Sequence, residues 1–192
     1  MQKQVKYLIV GQGITGTWMS YQLELAGISY MLINDESMHS ASSVASGVIN
    51  PVTGRRIVQT WMIETILPYA VNAYTDLQEK LDIHIIKNAP VVLLHPSEQM
   101  KESYDYRMQH ENVYLIKEDP TKWTPYFNAP QGVGGIKECY WLDINLMINK
   151  WKVFLIANDA YLNANFDMLD VVFHENKVTW KNIIAEKIIF CD

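Results

Sequence analysis

The chain begins with a short apolar run that ends at a glycine. Val5 to Val10 is mostly apolar, and Gly11 follows it directly. An apolar run of this length that stops at a turn residue is typical of a buried strand in a parallel sheet. From Ile14 to Ala26 apolar residues recur every three or four positions, which predicts a helix that ends at Gly27. Ile28 to Ile33 is a second apolar run, so the pattern predicts one βαβ unit.

The rest of the chain alternates apolar runs with polar segments. Ser40 to Gly54 is rich in Ser, Ala, Gly and Asn and predicts a loop, whereas Arg55 to Leu81 predicts a helix that Pro68 kinks or divides. Later patterns predict helices at 97–109 and 144–157, a loop at 119–135, and strands at 83–86, 91–94, 113–116, 140–142, 161–166, 169–173, 178–180 and 187–191.

Composition narrows the class of protein. A net charge of −5 over 192 residues argues against a nucleic-acid partner, because nucleic-acid-binding surfaces are basic. Cys139 and Cys191 are far apart, so they suggest neither a disulfide framework nor a zinc site and favour a reducing cytoplasm. The five histidines, His39 among them, lack metal-ligand spacing. The apolar run before Gly11 is too short for a signal sequence or a membrane span. We therefore expect a cytoplasmic protein with no metal and no membrane partner.

The six residues that directly follow the first predicted strand form the motif Gly11-Gln12-Gly13-Ile14-Thr15-Gly16. In a dinucleotide-binding turn the first glycine allows the tight turn and the second lets a pyrophosphate approach the backbone. The third glycine lets the helix pack closely on the sheet, and the N–H groups of Ile14 and Thr15 point at the phosphates. The motif follows a predicted strand and opens a predicted helix, which is the context that a nucleotide site requires.

The second strand of such a unit usually ends in an acidic residue that accepts hydrogen bonds from the ribose hydroxyls. This chain has Asn34 at that position and Asp35 directly after it. An amide oxygen accepts less strongly than a carboxylate. Asp35 is therefore either a substitute ribose ligand or a solvated turn carboxylate, and the sequence leaves both interpretations open.

A second segment helps to decide which dinucleotide is bound. Small residues and hydroxyls run from Ala41, Ser42 and Ser43 to Ser46, Gly47 and Val48 and end at Asn50-Pro51. Such residues would let the backbone pass close to the pyrophosphate and ribityl chain of FAD, with the isoalloxazine near Gly47 and Val48. NAD-dependent enzymes usually continue from the second strand into further βα units, so the segment favours FAD.

At these residues the chain resembles the D-amino-acid oxidase family of flavoproteins, which includes glycine oxidase and sarcosine oxidase-like enzymes. The resemblance implies that Ile14 and Thr15 face the phosphates, that Asn34 replaces the ribose-binding acid, and that Ala41 and Ser42 lie on the pyrophosphate side. It also implies that Ser46, Gly47 and Val48 lie along the flavin. A backbone contact to adenine would fall between Phe166 and Leu169.

The resemblance implies an α/β fold, in which a Rossmann-like FAD-binding βαβ sheet carries part of an inserted, mainly antiparallel α+β substrate domain. We expect residues 1–81 and 143–192 to form the FAD-binding domain and 82–142 the partial substrate domain. Because the family continues beyond the strand at 187–191, we expect the chain to be an N-terminal, truncated part. Its last strand would then lack neighbours, which predicts self-association through an incomplete sheet.

The implied function is that of an FAD-dependent oxidoreductase acting on the C–N bond of a small amine or amino acid. The sequence identifies no catalytic residue for that reaction. Two alternatives stay open: an NAD-dependent dehydrogenase, and a nucleotide-binding or interaction module without turnover of its own. Arg55-Arg56 could place positive charge near a substrate carboxylate, but arginines are mostly exposed and a solvated helix start is the simpler interpretation.

Overall fold

A computed structural model describes residues 2–37, 40–110 and 113–191 of the chain, and His39 therefore lies outside the described residues. The chain forms two compact units: Met1–Ala45 with Ile144–Asp192, and Ser46–Asp143. The first boundary thus differs from the one expected near residue 81. Residues 46–81 belong to the second unit because their strands and apolar side chains pair and pack with residues 86–142.

The described part of the chain contains five α-helices, two short 3-10 helices (Pro120–Lys122 and Met168–Asp170) and fourteen strands. The helices are α1 (Ile14–Leu25), α2 (Ala41–Val44), α3 (Ile63–Leu81), α4 (Glu98–His110) and α5 (Ile144–Ala157). The strands are β1 (Lys3–Val10), β2 (Tyr30–Asn34), β3 (Val48–Ile49), β4 (Val52–Thr53), β5 (Val58–Gln59), β6 (Ile86–Asn88), β7 (Val91–Leu94), β8 (Leu115–Lys117), β9 (Val133–Ile136), β10 (Tyr140–Leu142), β11 (Tyr161–Asn163), β12 (Val171–Phe173), β13 (Val178–Trp180) and β14 (Ile183–Phe190).

The first unit is built on one six-stranded sheet with the strand order β11-β2-β1-β14-β13-β12. The first four strands are parallel, and β13 and β12 continue the sheet antiparallel. The predicted βαβ unit is confirmed as β1-α1-β2. The expectation that the last strand lacks neighbours is wrong, since β14 pairs with β1 on one side and β13 on the other. The sheet's edges are β11 and β12 instead.

Apolar side chains of both kinds of strand form the core of the first unit. Leu8 and Ile33 of the parallel strands pack with Trp180 of the antiparallel part, and all three side chains are fully buried. On the helical side, Trp151 of α5 is fully buried, and its indole nitrogen donates a 2.7 Å hydrogen bond to Ser20 Oγ of α1. Helix α1, which begins within the glycine motif, is therefore joined to α5 by a buried hydrogen bond as well as by packing.

The second unit consists of small antiparallel sheets with the orders β3-β10-β6, β4-β5 and β7-β9-β8. Helices α3 and α4 belong to this unit, and its core includes Ile63 and Leu67 of α3 and Tyr104 of α4. The expected α/β fold, a Rossmann-like sheet combined with a mainly antiparallel α+β part, is thus confirmed.

Two predictions in the second unit are wrong. The helix expected from Arg55 begins only at Ile63, because Gly54 and Ile57 adopt positive φ angles of 70° and 54° and close the β4-β5 hairpin. Pro68 lies inside the helix. The loop expected at 119–135 ends in β9, whose glycines are explained by packing: a β-carbon at Gly134 would come within 2.3 Å of the Tyr104 ring. In the first unit, the short helix α2 lies within the loop predicted at 40–54, and the sequence pattern did not predict it.

Among the described residues, no helix combines the length and the apolar character that crossing a bilayer requires.

Candidate functional site

A cavity of about 700 Å³ lies at the carboxyl ends of β1 and β2 in the first unit. In open sheets with parallel strands, this edge is where ligands bind. The glycine motif, the end of β2, helix α2 and the segment after β11 surround the cavity. Its lining consists of Val10, Gly11, Gln12, Gly13, Ile14, Thr15, Ile33, Asn34, Asp35, Ser40, Ala41, Ser42, Ala164, Asn165, Phe166 and Cys191.

Each of the three glycines of the motif is favoured at its position for a different structural reason. Gly11 has a φ of 94°, a conformation that residues with a side chain rarely adopt, and it turns the chain from β1 toward α1. A β-carbon at Gly13 would come within 3.0 Å of Ser42 Oγ. A β-carbon at Gly16 would come within 1.9 Å of the Gly11 carbonyl oxygen, so only glycine allows the helix to approach the turn this closely.

The amino-terminal end of α1 faces the cavity and has no acidic residue in its first turn. Gly13, which caps the helix, has no side chain to offer the first amides. Ser42 of α2 supplies one partner instead, since Ile14 N–H donates to Ser42 Oγ at 2.9 Å. Thr15 also lines the cavity and is exposed. Amides at such a helix end carry partial positive charge and favour an anion.

Asn34, at the position expected for the ribose-binding acid, is hydrogen-bonded to the glycine turn. Its Oδ1 accepts a 2.8 Å hydrogen bond from the Gln12 backbone N–H. The Gln12 side chain is 5% exposed and donates from Nε2 to the Ile148 carbonyl oxygen of α5 at 3.0 Å. The second residue of the glycine motif is therefore fixed to both β2 and α5.

Asp35 has features of both interpretations that the sequence left open. It lines the cavity, and its Oδ1 also accepts hydrogen bonds from the Ser37 backbone N–H at 2.9 Å and the Ser37 hydroxyl at 2.6 Å. These bonds, the one from the hydroxyl most, lower the pKa of Asp35 below its usual value. Among the residues that the structure describes, Asp35 is the one charged side chain that lines the cavity.

The segment after β11 forms the far wall of the cavity through Ala164, Asn165 and Phe166. The Phe166 ring stacks on Trp180 with 5.6 Å between ring centroids, which fixes the wall to the core. Leu169 is 91% exposed and is not among the lining residues. Of the two residues expected to bracket the adenine, the structure thus brings only Phe166 to the cavity.

Some predicted residues lie elsewhere. Ser43 does not line the cavity, because its hydroxyl donates to the Ser40 carbonyl oxygen at 2.6 Å and its own carbonyl oxygen accepts from Asn145. Ser46, Gly47 and Val48 belong to the second unit. Gly47 has a φ of 73°, and a β-carbon there would come within 2.0 Å of the Leu142 carbonyl oxygen. The backbone of Leu142 in β10 therefore lies too close to Gly47 for any side chain at that position, and this contact lies within the second unit.

Sequence reasoning missed seven residues of the lining: Val10, Gln12, Ile33, Ser40, Ala164, Asn165 and Cys191. Gln12 occupies a variable position of the glycine motif, and nothing in the pattern indicates its buried side chain. Ser40 precedes α2, and its side chain caps that helix by accepting from Ser43 N–H at 3.2 Å. Asn165 and Cys191 reach the cavity because they follow β11 and β14, two parallel strands of the same sheet that end at the same edge. The common position of strand ends was the signal that could have found them.

No known family profile matches the chain. Solved structures do share its fold. Glycine oxidase from Geobacillus kaustophilus matches with a TM-score of 0.69 and 14% identity over 98% of this chain and 55% of its own. L-amino acid deaminase from Proteus myxofaciens matches with a TM-score of 0.68 and 12% identity over 100% and 46%. An FAD-dependent oxidoreductase from Pseudomonas aeruginosa matches with a TM-score of 0.63 and 18% identity over 99% and 48%.

The chain spans about half the length of these structures. With sequence identities this low, the likeness concerns the fold, and the fold includes both the Rossmann-like sheet and the antiparallel part. The chain therefore has the fold of about half of a glycine oxidase, an L-amino acid deaminase and an FAD-dependent oxidoreductase.

Proposed function

We propose that the chain is an N-terminal part of an FAD-dependent oxidoreductase that oxidises the C–N bond of an amine or amino acid, and that its first unit holds the FAD. The observation that carries this proposal is the cavity of about 700 Å³ at the glycine turn. The cavity lies at the end of parallel strands, opens on a helix amino terminus, and is walled by backbone that glycines keep close.

In this proposal the phosphates lie at the amino-terminal end of α1. A serine hydroxyl can accept and donate at the same time. Ser42 accepts from the Ile14 N–H, so its own proton is available for a phosphate oxygen. Thr15 adds a second cavity-lining hydroxyl, and Gly13 and Ala41 leave room for the pyrophosphate because their side chains are minimal.

The adenine of the FAD would lie between Asp35 and the wall formed by Ala164, Asn165 and Phe166. The Phe166 ring is already stacked on Trp180, so the backbone and the outer edge of this wall are the groups left for the adenine. The contact of Ser46, Gly47 and Val48 with the isoalloxazine stays a prediction from the resemblance.

Two of the similar folds support the choice of chemistry by their names: one is an FAD-dependent oxidoreductase and one a glycine oxidase. When bound, FAD would supply the redox chemistry by accepting a hydride equivalent from the carbon that bears the substrate nitrogen. The residues of this chain would hold and orient the cofactor and exclude water from its phosphates.

FAD binding to the purified chain tests the cofactor. We expect saturable binding of FAD and much weaker binding of NADH, both followed by equilibrium dialysis. Ser42→Ala should weaken FAD binding about tenfold, because it removes a hydrogen bond to a charged phosphate. Ser43→Ala is the matched control and should bind like the wild type, since the Ser43 hydroxyl is used within its own turn. Stronger binding of NADH than of FAD would overturn the choice of cofactor.

Anaerobic mixing of the FAD-loaded chain with small amines and amino acids tests the reaction. Loss of the visible absorbance of oxidised flavin with at least one of them is the expected result. A loaded chain whose flavin no amine or amino acid reduces would contradict the proposed activity and favour a nucleotide-binding module.

Localisation and self-association are also part of this proposal. We propose a cytoplasmic protein, which is supported by Cys139 and Cys191, neither of which forms a disulfide. We keep self-association as a prediction, with the edge strand β12 in place of β14 as its site, because Val172 and Phe173 are exposed there. Sedimentation of the wild type and of Phe173→Lys tests it, and an unchanged monomer for both would contradict it.

A further inference from the structure

A second, smaller cavity of about 180 Å³ adjoins the large one in the first unit. The two cavities share Gln12, Asn34 and Ser40 in their linings. The remaining walls of the smaller cavity are polar side chains from three elements: Glu36 after β2, Asn149 and Lys152 of α5, and Tyr161 of β11, with Ile148 beside them. None of these residues has a role in the function proposed above.

The carboxylate of Glu36 is held in place from two sides. The Tyr161 hydroxyl donates to Glu36 Oε1 at 2.9 Å, and Lys152 Nζ donates to Oε2 at 3.2 Å. The bond from Tyr161, more than that from Lys152, lowers the pKa of Glu36 below its usual value. Burial and the nearby carboxylate raise the pKa of Tyr161, so the hydroxyl keeps its proton and remains a donor.

Asn34, by contrast, is a neutral amide that the fold already uses for contacts within the protein. Its amide oxygen accepts from the Gln12 backbone at 2.8 Å, and its side chain also interacts with the Tyr161 oxygen. The residue at the usual position of the ribose-binding acid therefore holds the glycine turn.

We infer that Glu36, positioned by Tyr161, is the carboxylate that recognises the ribose hydroxyls of the nucleotide, in place of an acid at position 34. The inference rests on the proposed nucleotide site and names the residue that would give it specificity for a vicinal diol. A carboxylate offers about four lone-pair positions. Tyr161 and Lys152 use two, which leaves acceptors for the two hydroxyl groups of a ribose.

Size and charge both favour a diol over other ligands. The smaller cavity has the volume of about six water molecules in the liquid, which suits one sugar and not a dinucleotide. A phosphate or carboxylate would meet the negative charge of Glu36, whereas Lys152 is already paired with Glu36. A neutral group that donates hydrogen bonds fits these neighbours best.

The test compares ADP with 2′-deoxy-ADP and 3′-deoxy-ADP as ligands of the purified chain. The wild type should bind at least one deoxy analogue about tenfold more weakly than ADP, because the analogue loses a hydrogen bond to a carboxylate. Glu36→Gln should bind ADP about tenfold more weakly and lose most of the preference. Lys152→Met is the control for the ion pair: it keeps the carboxylate and should keep the preference.

Tyr161→Phe tests the positioning role. It should reduce the ratio of ADP to deoxy-ADP affinity while leaving the affinity for the deoxy analogue unchanged, whereas mere destabilisation of the unit would lower both affinities alike. An unchanged preference in Glu36→Gln, or a preference that Asp35→Asn abolishes, would overturn the inference while FAD binding and the proposed function stand. Failure of the wild type to bind either FAD or ADP would overturn both.

Discussion

Gly16 of α1 lies directly against the carbonyl oxygen of Gly11, so that a β-carbon at Gly16 would come within 1.9 Å of that oxygen. The obstacle is backbone and cannot rotate away as a side chain could. Gly16→Ala should therefore push α1 off the turn, lower the free energy of unfolding by about 3 kcal/mol or more, and abolish FAD binding. Chemical denaturation and an FAD titration measure the two effects.

Gly27→Ala is the matched control for that substitution. Gly27 also belongs to the first unit, and no atom lies within 4 Å of a β-carbon built there. Its φ of 65° makes alanine unfavourable by about 1 kcal/mol, so stability should fall slightly and FAD binding should persist. Equal losses in the two variants would contradict a specific role for the approach of Gly16 to Gly11.

The buried hydrogen bond between Trp151 and Ser20 should contribute more to the free energy of unfolding than an ordinary single hydrogen bond does. Ser20→Ala would leave the indole N–H of a fully buried tryptophan without an acceptor, which costs about 1–3 kcal/mol of stability. Ser20 Oγ also lies 2.8 Å from the Gly16 carbonyl oxygen, so the substitution removes a second contact near the motif. Urea unfolding of the single variants and of Ser20→Ala with Trp151→Phe gives the coupling energy. A coupling near zero would contradict the prediction.

Protonation of His95 should destabilise the second unit in mild acid. The side chain is 3% exposed, its Nδ1 has no hydrogen-bond partner among the residues that the structure describes, and its ring lies 4.8 Å from that of Tyr104. Burial, opposed by Asp105, lowers the pKa of His95 below its ordinary value of about 6.5. Because the folded pKa is below the unfolded one, the unfolded chain binds more protons at acid pH. Stability should therefore fall as the pH decreases from about 6.5.

His95→Phe should remove that part of the pH dependence while keeping the ring packed on Tyr104. The exposed His84 offers the control for loss of a histidine: His84→Gln should change the free energy of unfolding at neutral pH by less than about 0.5 kcal/mol. Denaturant midpoints between about pH 5 and 8 provide the measurement. A wild-type slope that persists in His95→Phe would show that another group carries it.

The rate at which Cys191 reacts with a thiol reagent should report whether the large cavity is occupied, and Cys139 serves as the buried comparison. Cys191 is partly exposed and lines that cavity, whereas Cys139 is fully buried, and burial raises the pKa of its thiol. A thiol reagent should therefore modify Cys191 first, and FAD should slow its modification. Mass spectrometry after timed labelling distinguishes the sites, with Cys191→Ser as the control. Labelling of Cys191 that is unaffected by saturating FAD would contradict its place in the nucleotide site.

The parts of the fold that the sequence predicted well are those in which neighbouring residues settle the structure. The run before Gly11 and the helical spacing after Gly13 predicted β1, the turn and α1 because burial and turn geometry there are local properties. The hairpin at 52–59 and the strand β9 were missed. Their conformations depend on positive φ at Ile57 and on the Tyr104 ring against Gly134, and neither can be inferred from periodicity.

The same division holds for the candidate site. The sequence by itself determined that a glycine turn would join a strand to a helix amino terminus and leave room for a phosphate, since these follow from residue type and order. Only the tertiary structure decided that Asn34 binds the Gln12 amide, that Leu169 faces solvent, and that Glu36 meets Tyr161 and Lys152. Those contacts join residues far apart in the chain, and the packing of strands and helices, which no local pattern encodes, brings them together.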